Sequence, residues 1–178
     1  MEPDNHRTTD QPLPETERLT LRRPVTADIG AIVAIAGDWE IARRLGRVPH
    51  RYGEKDARFF LECVVPNELA WAITLRRGGE LVGMVGLNQE PNQDAPELGY
   101  YVDRGHWGLG IATEAARAVV EHGIYRLGLR RITAGYFADN PASGRVLRKL
   151  GFVQTGQGER PCLATGLRTP SVEMLLKA

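Results

Sequence analysis

A cluster of small residues stands directly before a helical pattern in the stretch RGHWGLGIATEAARAVVEH, residues 104–122. The first N–H groups of a helix have no partner within the helix, and the helix N-terminus carries partial positive charge. Gly108 and Gly110 lack the Cβ atoms that would keep an anion away from the backbone. The pattern therefore indicates a phosphate or pyrophosphate site built from backbone N–H groups. A tight turn into the helix that binds nothing is the alternative.

Two common phosphate motifs do not fit this stretch. A Walker loop requires a lysine after its last glycine, and no lysine occurs between residues 104 and 122. The dinucleotide fingerprint calls for a third glycine where this chain has Thr113, and no acidic residue ends a following strand at the expected distance. Both of these classes of nucleotide-binding protein are therefore poor descriptions of the chain.

Strand and helix patterns on both sides of the stretch must position it. The segment 18–24 alternates apolar and charged residues and predicts a strand, after which Thr26 is expected to cap the first of three short helices. Two apolar runs around a Gly-Gly pair predict a hairpin, and 97–102 predicts a further strand. A helix, a strand, a helix capped by Asn140 and two late strands complete the order. This order predicts an α/β (α+β) fold with a mixed, largely antiparallel sheet flanked by helices.

Length and composition set the remaining limits. The 178 residues fit one domain, expected over 13–178, behind a polar, disordered tail at 1–12. A net charge of +1 gives no argument for nucleic-acid or membrane binding, and no apolar run is long enough to cross a bilayer. No apolar signal segment opens the chain, so the expected compartment is the cytoplasm. The four histidines and two cysteines show no metal-ligand spacing, which predicts no metal site.

Two motifs at a consistent mutual spacing resemble a known family. ELGYYVDRGHWGLGIATEA at 97–115 and ADNPASGRVLRKLGF at 138–152 look like the GNAT superfamily of acyl-CoA-dependent N-acetyltransferases, and most like its RimJ/RimL-like branch. The superfamily's loop reads [Q/R]-x-x-G-x-[G/A]. The segment WGLGIA at 107–112 fits it except at Trp107, and a tryptophan there is typical of the branch. The resemblance is looser but consistent over 17–87.

The resemblance implies an acetyl-CoA-dependent N-acetyltransferase, which moves an acetyl group to a primary amine by direct attack in a ternary complex. The acceptor would be the N-terminal α-amine of a protein or the amine of a small molecule. A non-catalytic acyl-CoA-binding sensor or partner module is the alternative. The implied fold is a GNAT-like sheet whose strands at 97–102 and 131–136 splay apart to hold acyl-CoA. A homodimer paired through late strands is a further implication.

The resemblance also implies which residues contact acetyl-CoA. Backbone amides of 108–113 would hold the pyrophosphate, and the basic stretch RVLRK at 145–149 could assist at the 3′-phosphate. The implied cofactor-binding residues are Tyr101, Val102, Trp107, Gly108, Leu109, Gly110, Ile111, Ala112, Thr113 and Asn140.

Acetyl transfer to an amine needs a base, a donor for the thioester oxygen and help for the leaving sulfur. By its position, Glu97 is the implied base; Glu90 and Asp94 are rivals, and an arginine-paired or solvated Glu97 is the structural alternative. The implied oxyanion donor is the backbone N–H of Val102. Ser143 is implied to hydrogen-bond the sulfur.

The group that would give a proton to the leaving sulfur differs from the one in many members of the family. Leu147 stands where those members carry a tyrosine, and leucine cannot donate a proton. Tyr136 is an outside candidate for this role. Trp39, Glu40 and Arg43 are implied to wall the acceptor groove.

Overall fold

One sheet organises the part of the chain that the structure describes. The structure is a computed structural model and describes Leu13 and residues 15–89 and 93–178, so the predicted tail at 1–12 and the rival base Glu90 lie outside the described residues. The strand order in this part is β1-β2-β3-β4-β5-β7-β6. The strands are β1 (Leu19–Arg22), β2 (Leu69–Leu75), β3 (Leu81–Asn88), β4 (Glu97–Val102), β5 (Arg131–Phe137), β6 (Val153–Cys162) and β7 (Leu167–Lys177).

Helices cover both faces of the sheet. On one face lie α1 (Ile29–Ala36), α2 (Trp39–Ala42) and α3 (Glu54–Phe59), which continues as a wider π-type turn over Phe60–Val64 and ends before Pro66. On the other lie α4 (Ile111–Tyr125) and α5 (Pro141–Lys149). None of the helices in the described ranges is both long enough and apolar enough to cross a membrane.

Each face has its own hydrophobic core. Val119 of α4 and Leu147 of α5 pack with Leu98 and Val102 of β4 on one face. Tyr101 of β4 packs toward α1 on the other face. Successive strand residues point to opposite faces, so β4 carries Leu98, Tyr100 and Val102 on the α4 side and Glu97 and Tyr101 on the α1 side.

Two local predictions need correction. Thr26 begins a 3₁₀ turn and does not cap it; Asp28 accepts a hydrogen bond from the Val25 N–H at 2.7 Å and is held by Arg22. A buried carboxylate bonded to a guanidinium is a stronger partner than a hydroxyl. The late strands are also longer than the motifs at 151–157 and 171–177 suggested. β6 contains Pro161 and is the last strand in the order, and an edge strand tolerates proline.

β4 and β5 separate after a single contact. They are parallel and paired only at Glu97 and Thr133, where the Thr133 N–H donates to the Pro96 carbonyl at 2.9 Å. The other neighbouring strands in the described sheet are antiparallel. The mixed, largely antiparallel sheet predicted from sequence is confirmed. The divergence leaves a slot between β4 and β5 that ends at the turn into α4.

Candidate active site

A cavity of about 1150 Å³ occupies the slot where β4 and β5 diverge. It is lined by the α2–α3 segment, the start of β2, strands β3 and β4, the loop before α4 with the first residues of that helix, the last residues of β5, the segment from Asp139 through α5, and Arg160 and Pro161 of β6. The cavity therefore passes from one face of the sheet to the other, and the two faces supply different groups to it.

The residues 107–110, here called the glycine loop, turn the chain from β4 into α4. Gly108 has φ +76° and Gly110 has φ +80°, which is left-handed backbone that favours glycine. A Cβ added to Gly108 would meet nothing within 4 Å, so the space beside its backbone is open. Gly108, Gly110, Ile111, Ala112 and Thr113 line the cavity and Leu109 does not, and the cofactor contacts predicted for all six stay a prediction. The Leu109 carbonyl instead accepts a hydrogen bond from Arg18 at 2.8 Å.

Trp107 is fixed at the entrance to the glycine loop. Its indole Nε1 donates to the Val102 carbonyl at 2.7 Å, and the Arg44 guanidinium lies 5.2 Å from the centre of its ring. Where the family pattern has glutamine or arginine, the indole thus ties the loop to the end of β4.

The backbone N–H of Val102 points into the slot. The next residue, Asp103, donates its N–H to Val82 of β3 at 2.7 Å. Backbone groups alternate sides along a strand, so the N–H and carbonyl of Val102 face away from β3. The bond from Trp107 to the Val102 carbonyl agrees with this direction. The arrangement suits the predicted oxyanion donor, whose role stays a prediction.

Ser143 meets a tyrosine that the sequence reasoning did not single out. The Ser143 hydroxyl lies 2.8 Å from the Tyr100 hydroxyl, and both residues line the cavity. Asn140 caps α5 and accepts from the Ser143 N–H at 3.4 Å, as predicted for the cap. Burial raises the pKa of Tyr100 to about 12, although the hydrogen bond with Ser143 opposes this. Tyr100 therefore stays protonated near neutral pH and can donate to Ser143.

Glu97 is held by a clasp that consists of Arg160, Glu97 and Glu173. Arg160 Nη1 lies 2.7 Å from Glu97 Oε1, and its Nε lies 2.9 Å from Glu173 Oε1. The second oxygen of Glu173 also contacts Arg160, and this hydrogen bonding is the main reason that the pKa of Glu173 is lowered. Glu97 is thus the arginine-paired carboxylate named as the structural alternative. Its carboxylate still lines the cavity, and the base role stays a prediction.

The predicted acceptor-groove residues lie beside the cavity and do not line it. Glu40 pairs with Arg43 at 3.1 Å, Arg43 also pairs with Asp139 at 2.9 Å, and Trp39 packs edge-on against His50. Other side chains from α2 and from the residues after it form the cavity wall, because a helix turns only one of its sides toward the sheet. Those that line the cavity are Ile41, Arg44 and Leu45.

The remaining predicted residues differ in whether they line the cavity. Asp94 is exposed and does not line the cavity. Tyr136 lines the cavity, and its ring packs against Gly144, where an added Cβ would lie 2.6 Å from the Tyr136 Cζ atom. Leu147 is buried in the core. In the basic stretch, Arg145 and Lys149 line the cavity and Arg148 does not. Among the described residues, no group of three or more acidic, histidine or cysteine side chains is arranged to hold a metal ion.

Tyr100 and Arg160 are the two cavity residues missed by sequence reasoning that contact predicted catalytic residues, Ser143 and Glu97. A signal for Tyr100 existed, because strand alternation places it on the same face as Val102. No comparable signal marks Arg160, which lies 63 positions from its partner Glu97.

Known proteins share both the sequence pattern and this fold. Residues 18–153 match the family described as Acetyltransferase (GNAT) domain. The chain is 33% identical over 151 residues to the uncharacterized N-acetyltransferase YoaA of Bacillus subtilis (strain 168), covering 82% of this chain and 85% of that protein. It is 36% identical over 78 residues to the ribosomal-protein-serine acetyltransferase of Escherichia coli (strain K12), covering 43% of this chain and 44% of that protein.

A solved structure has the same fold. RimL, the ribosomal L7/L12 α-N-protein acetyltransferase, in complex with coenzyme A, superposes with a TM-score of 0.80 at 19% identity, covering 94% of this chain and 98% of that chain. Relatives and structural neighbours thus include members of the RimJ/RimL branch. The family match over most of the chain, together with the slot between β4 and β5, leads to one conclusion: the chain belongs to the GNAT family and is an N-acetyltransferase.

Proposed function

We propose that the chain uses acetyl-CoA to acetylate a primary amine by direct attack in a ternary complex. The observation that carries the proposal is the slot between β4 and β5, which is closed at one end by the glycine loop and the start of α4. An extended acyl-pantetheine needs hydrogen bonds along its length, and separated strand edges offer them.

The chain's residues fit the parts of coenzyme A. Gly108 and Gly110 have the backbone shape of an anion nest, and the space that a Cβ of Gly108 would fill is open. The N-terminus of α4 adds partial positive charge there. Arg145 and Lys149, one turn apart on α5, suit the 3′-phosphate.

Three groups of the chain would each carry out one part of the acetyl transfer. When bound, acetyl-CoA supplies an activated acetyl group. The Val102 N–H is aimed into the slot and would stabilise charge on the thioester oxygen. Glu97, which lies on the α1 side of β4, would take the proton of the amine directly or through water. Ser143, which can accept from Tyr100, keeps its own proton for a hydrogen bond to the leaving sulfur.

The clasp beside the cavity favours a cationic amine near Glu97. The clasp has two carboxylates and one guanidinium, so its net charge is negative. Such a group attracts an ammonium ion and can help to orient it. A protein N-terminal α-amine is the acceptor we place first, because the E. coli relative is named a ribosomal-protein-serine acetyltransferase and RimL an α-N-protein acetyltransferase. A small-molecule amine is the other candidate.

The decisive experiment is calorimetric titration with acetyl-CoA, followed by thiol release against peptides with free N-termini, N-blocked lysine peptides and small amines. We expect binding, and release that is fastest with free N-terminal peptides. Binding without release for every amine would favour the non-catalytic sensor. Failure to bind acetyl-CoA would overturn the proposal.

Glu97→Gln tests the base. We predict that kcat falls by roughly 10²- to 10⁴-fold, the usual size of a general-base contribution, while the Kd for coenzyme A is unchanged. Steady-state kinetics and calorimetry on one preparation measure both quantities. Asp94→Asn, an exposed carboxylate of the preceding loop, is the matched control and should retain kcat. Equal kcat values for Glu97→Gln and the wild type would remove Glu97 from the mechanism.

A further inference from the structure

The segment before β1 reaches the glycine loop from outside the cavity. The Arg18 Nε donates to Glu114 Oε2 at 2.7 Å, and the Arg18 backbone N–H donates to Glu114 Oε1 at 2.9 Å. Thr16 donates its hydroxyl to the same Glu114 oxygen at 2.5 Å. Glu114 belongs to the first turn of α4, so these contacts join two parts of the chain nearly a hundred positions apart.

Arg18 also holds the peptide between Leu109 and Gly110. Its Nη1 donates to the Leu109 carbonyl at 2.8 Å, and its Nη2 lies 3.3 Å from the point where a Cβ of Gly110 would be. Arg18 and Leu109 do not line the cavity, whereas Gly110 does. The guanidinium therefore contacts the loop from behind, and the carbonyl that it binds points away from the cavity.

The direction of this carbonyl decides the direction of an N–H group. In a trans peptide the carbonyl of one residue and the N–H of the next lie in one plane and point in opposite directions. With the Leu109 carbonyl held toward Arg18, the N–H of Gly110 points toward the cavity. Glycines flank Leu109 on both sides, and glycine accepts either sign of φ, so the loop alone gives this peptide little resistance to turning over.

Arg18 also controls a negative charge near the start of α4. Burial alone would raise the pKa of Glu114, but hydrogen bonds from Thr16 and Arg18 outweigh it and lower the pKa. The carboxylate is thus ionised at neutral pH, yet it faces Arg18 on the outer side. It is kept from competing with an anion for the partial positive charge of the helix end.

We infer that Arg18 is a positioning residue for coenzyme A: it locks the Leu109–Gly110 peptide so that the Gly110 N–H faces the pyrophosphate. The inference rests on the proposed function, because it assigns the glycine loop to that ligand. Arg18 acts through the loop, so it should affect the Kd for coenzyme A and the KM for acetyl-CoA, with little effect on kcat at saturation.

The test uses Arg18→Gln, with Arg22→Gln as control. Arg22 lies four positions further along, at the end of β1, and makes a comparable bond to a carboxylate, Asp28, away from the cavity. We expect Arg18→Gln to weaken coenzyme A binding by about tenfold, the size of one hydrogen bond to a charged group, and Arg22→Gln to leave the Kd within about twofold. Should Arg18→Gln fail to fold, Arg18→Lys replaces it, since a lysine cannot hold carbonyl and carboxylate in the same fork geometry.

A crystal structure of each variant provides a readout that does not depend on coenzyme A. The Leu109–Gly110 peptide should turn over or show two orientations in Arg18→Gln and keep its orientation in Arg22→Gln. An unchanged peptide in Arg18→Gln, or an unchanged Kd, overturns the inference. If the wild type itself does not bind coenzyme A, the proposed function fails, and so does the ligand assigned to the loop; the crystal structures then still decide whether Arg18 holds the peptide.

Discussion

The hydroxyl groups of Ser143 and Tyr100 form the pair that would share the proposed acid role. The two oxygens are 2.8 Å apart, and the Ser143 carbonyl, 3.2 Å from the Tyr100 hydroxyl, is the competing acceptor for that hydroxyl's single proton. A serine hydroxyl is a weak acid by itself, but a neighbouring donor increases the strength of the hydrogen bond that it can give. Leu147, at the position of the more common tyrosine, is buried and has no proton to give, so the proposed acid role would rest on this pair.

We predict that Ser143→Ala lowers kcat by about tenfold and that Tyr100→Phe lowers it less. The first change removes the donor to sulfur, about one hydrogen bond, and the second removes only its support. Tyr136→Phe is the comparison, because its ring packs on Gly144 and should not take part. Steady-state kcat at saturating acetyl-CoA distinguishes them. A larger loss in Tyr136→Phe than in Ser143→Ala would move the acid to Tyr136.

At the scale of the element, the glycine loop and α4 form one unit. Gly110 in left-handed backbone stands as the N-cap of α4, and no side chain caps that end. Trp107 ties the front of the loop to β4, and Arg18, the residue before β1, holds its back. The free N–H groups of the helix thus remain directed at the cavity.

Gly108→Ala tests whether this unit binds an anion. Gly79, in the β2–β3 turn, has a similar φ of +70° against +76°, and an added Cβ at either glycine meets nothing within 4 Å. Both alanine variants should lose about 1–2 kcal/mol of unfolding free energy from the same backbone strain. Only Gly108→Ala should also weaken coenzyme A binding in calorimetry. Equal Kd values for the two variants would contradict the anion nest. Gly110 is a poorer choice, because its Cβ would also approach Arg18.

At the scale of the whole molecule, the sheet consists of two halves, β1–β4 and β5–β7–β6. One residue pair joins them in the ladder, and the clasp crosses the boundary from β6 to β4 on the α1 side of the sheet. Arg160 lies directly over Gly135 of β5, where an added Cβ would come within 2.3 Å of its Cζ atom. The missing side chain of Gly135 is thus what lets the clasp close.

We predict that Gly135→Ala destabilises the protein by about 1–3 kcal/mol by pushing Arg160 off its two carboxylates. The same change should have little effect when Arg160 is already alanine, because the obstacle is then gone. A double-mutant cycle in urea measures this coupling. Gly156→Ala on β6, where an added Cβ meets nothing within 4 Å, is the control. Additive effects would show that Gly135 and Arg160 act independently.

The fold should lose stability in acid. Burial raises the pKa of Asp28, but its bonds from Arg22 and from the Val25 N–H outweigh this and lower it; hydrogen bonding to Arg160 lowers that of Glu173. A carboxyl whose pKa is lowered in the folded protein binds more protons when the chain is unfolded. Its contribution to the free energy of unfolding is therefore present at pH values above its ordinary pKa of about 4, and it is lost as the pH falls through the folded pKa.

Asp28→Asn should therefore reduce stability at neutral pH by about 1–3 kcal/mol and flatten its acid dependence. Urea unfolding at a series of pH values measures both effects. Parallel pH curves for Asp28→Asn and the wild type would show that Asp28 does not contribute to the acid sensitivity.

The sequence by itself determined the features that depend on neighbours in the chain. The strand alternation of β4, the glycines before α4, and Asn140 as the cap of α5 are local, because turn conformation, capping and side-chain period are set within a few residues. These features were sufficient to recognise the family and to name the glycine loop. Thr26 shows the limit of such reasoning, since Arg22 and Asp28 decided how that helix begins.

Only the tertiary structure decided which distant side chains meet. Glu97 and Arg160 are 63 positions apart, Tyr100 and Ser143 are 43 apart, and Arg18 and Leu109 are 91 apart. No local propensity encodes such pairs; they form because β4 lies beside β5, and because β1 lies under the start of α4. The charge partner of Glu97, the partner of Ser143 and the orientation of the glycine loop all follow from these contacts.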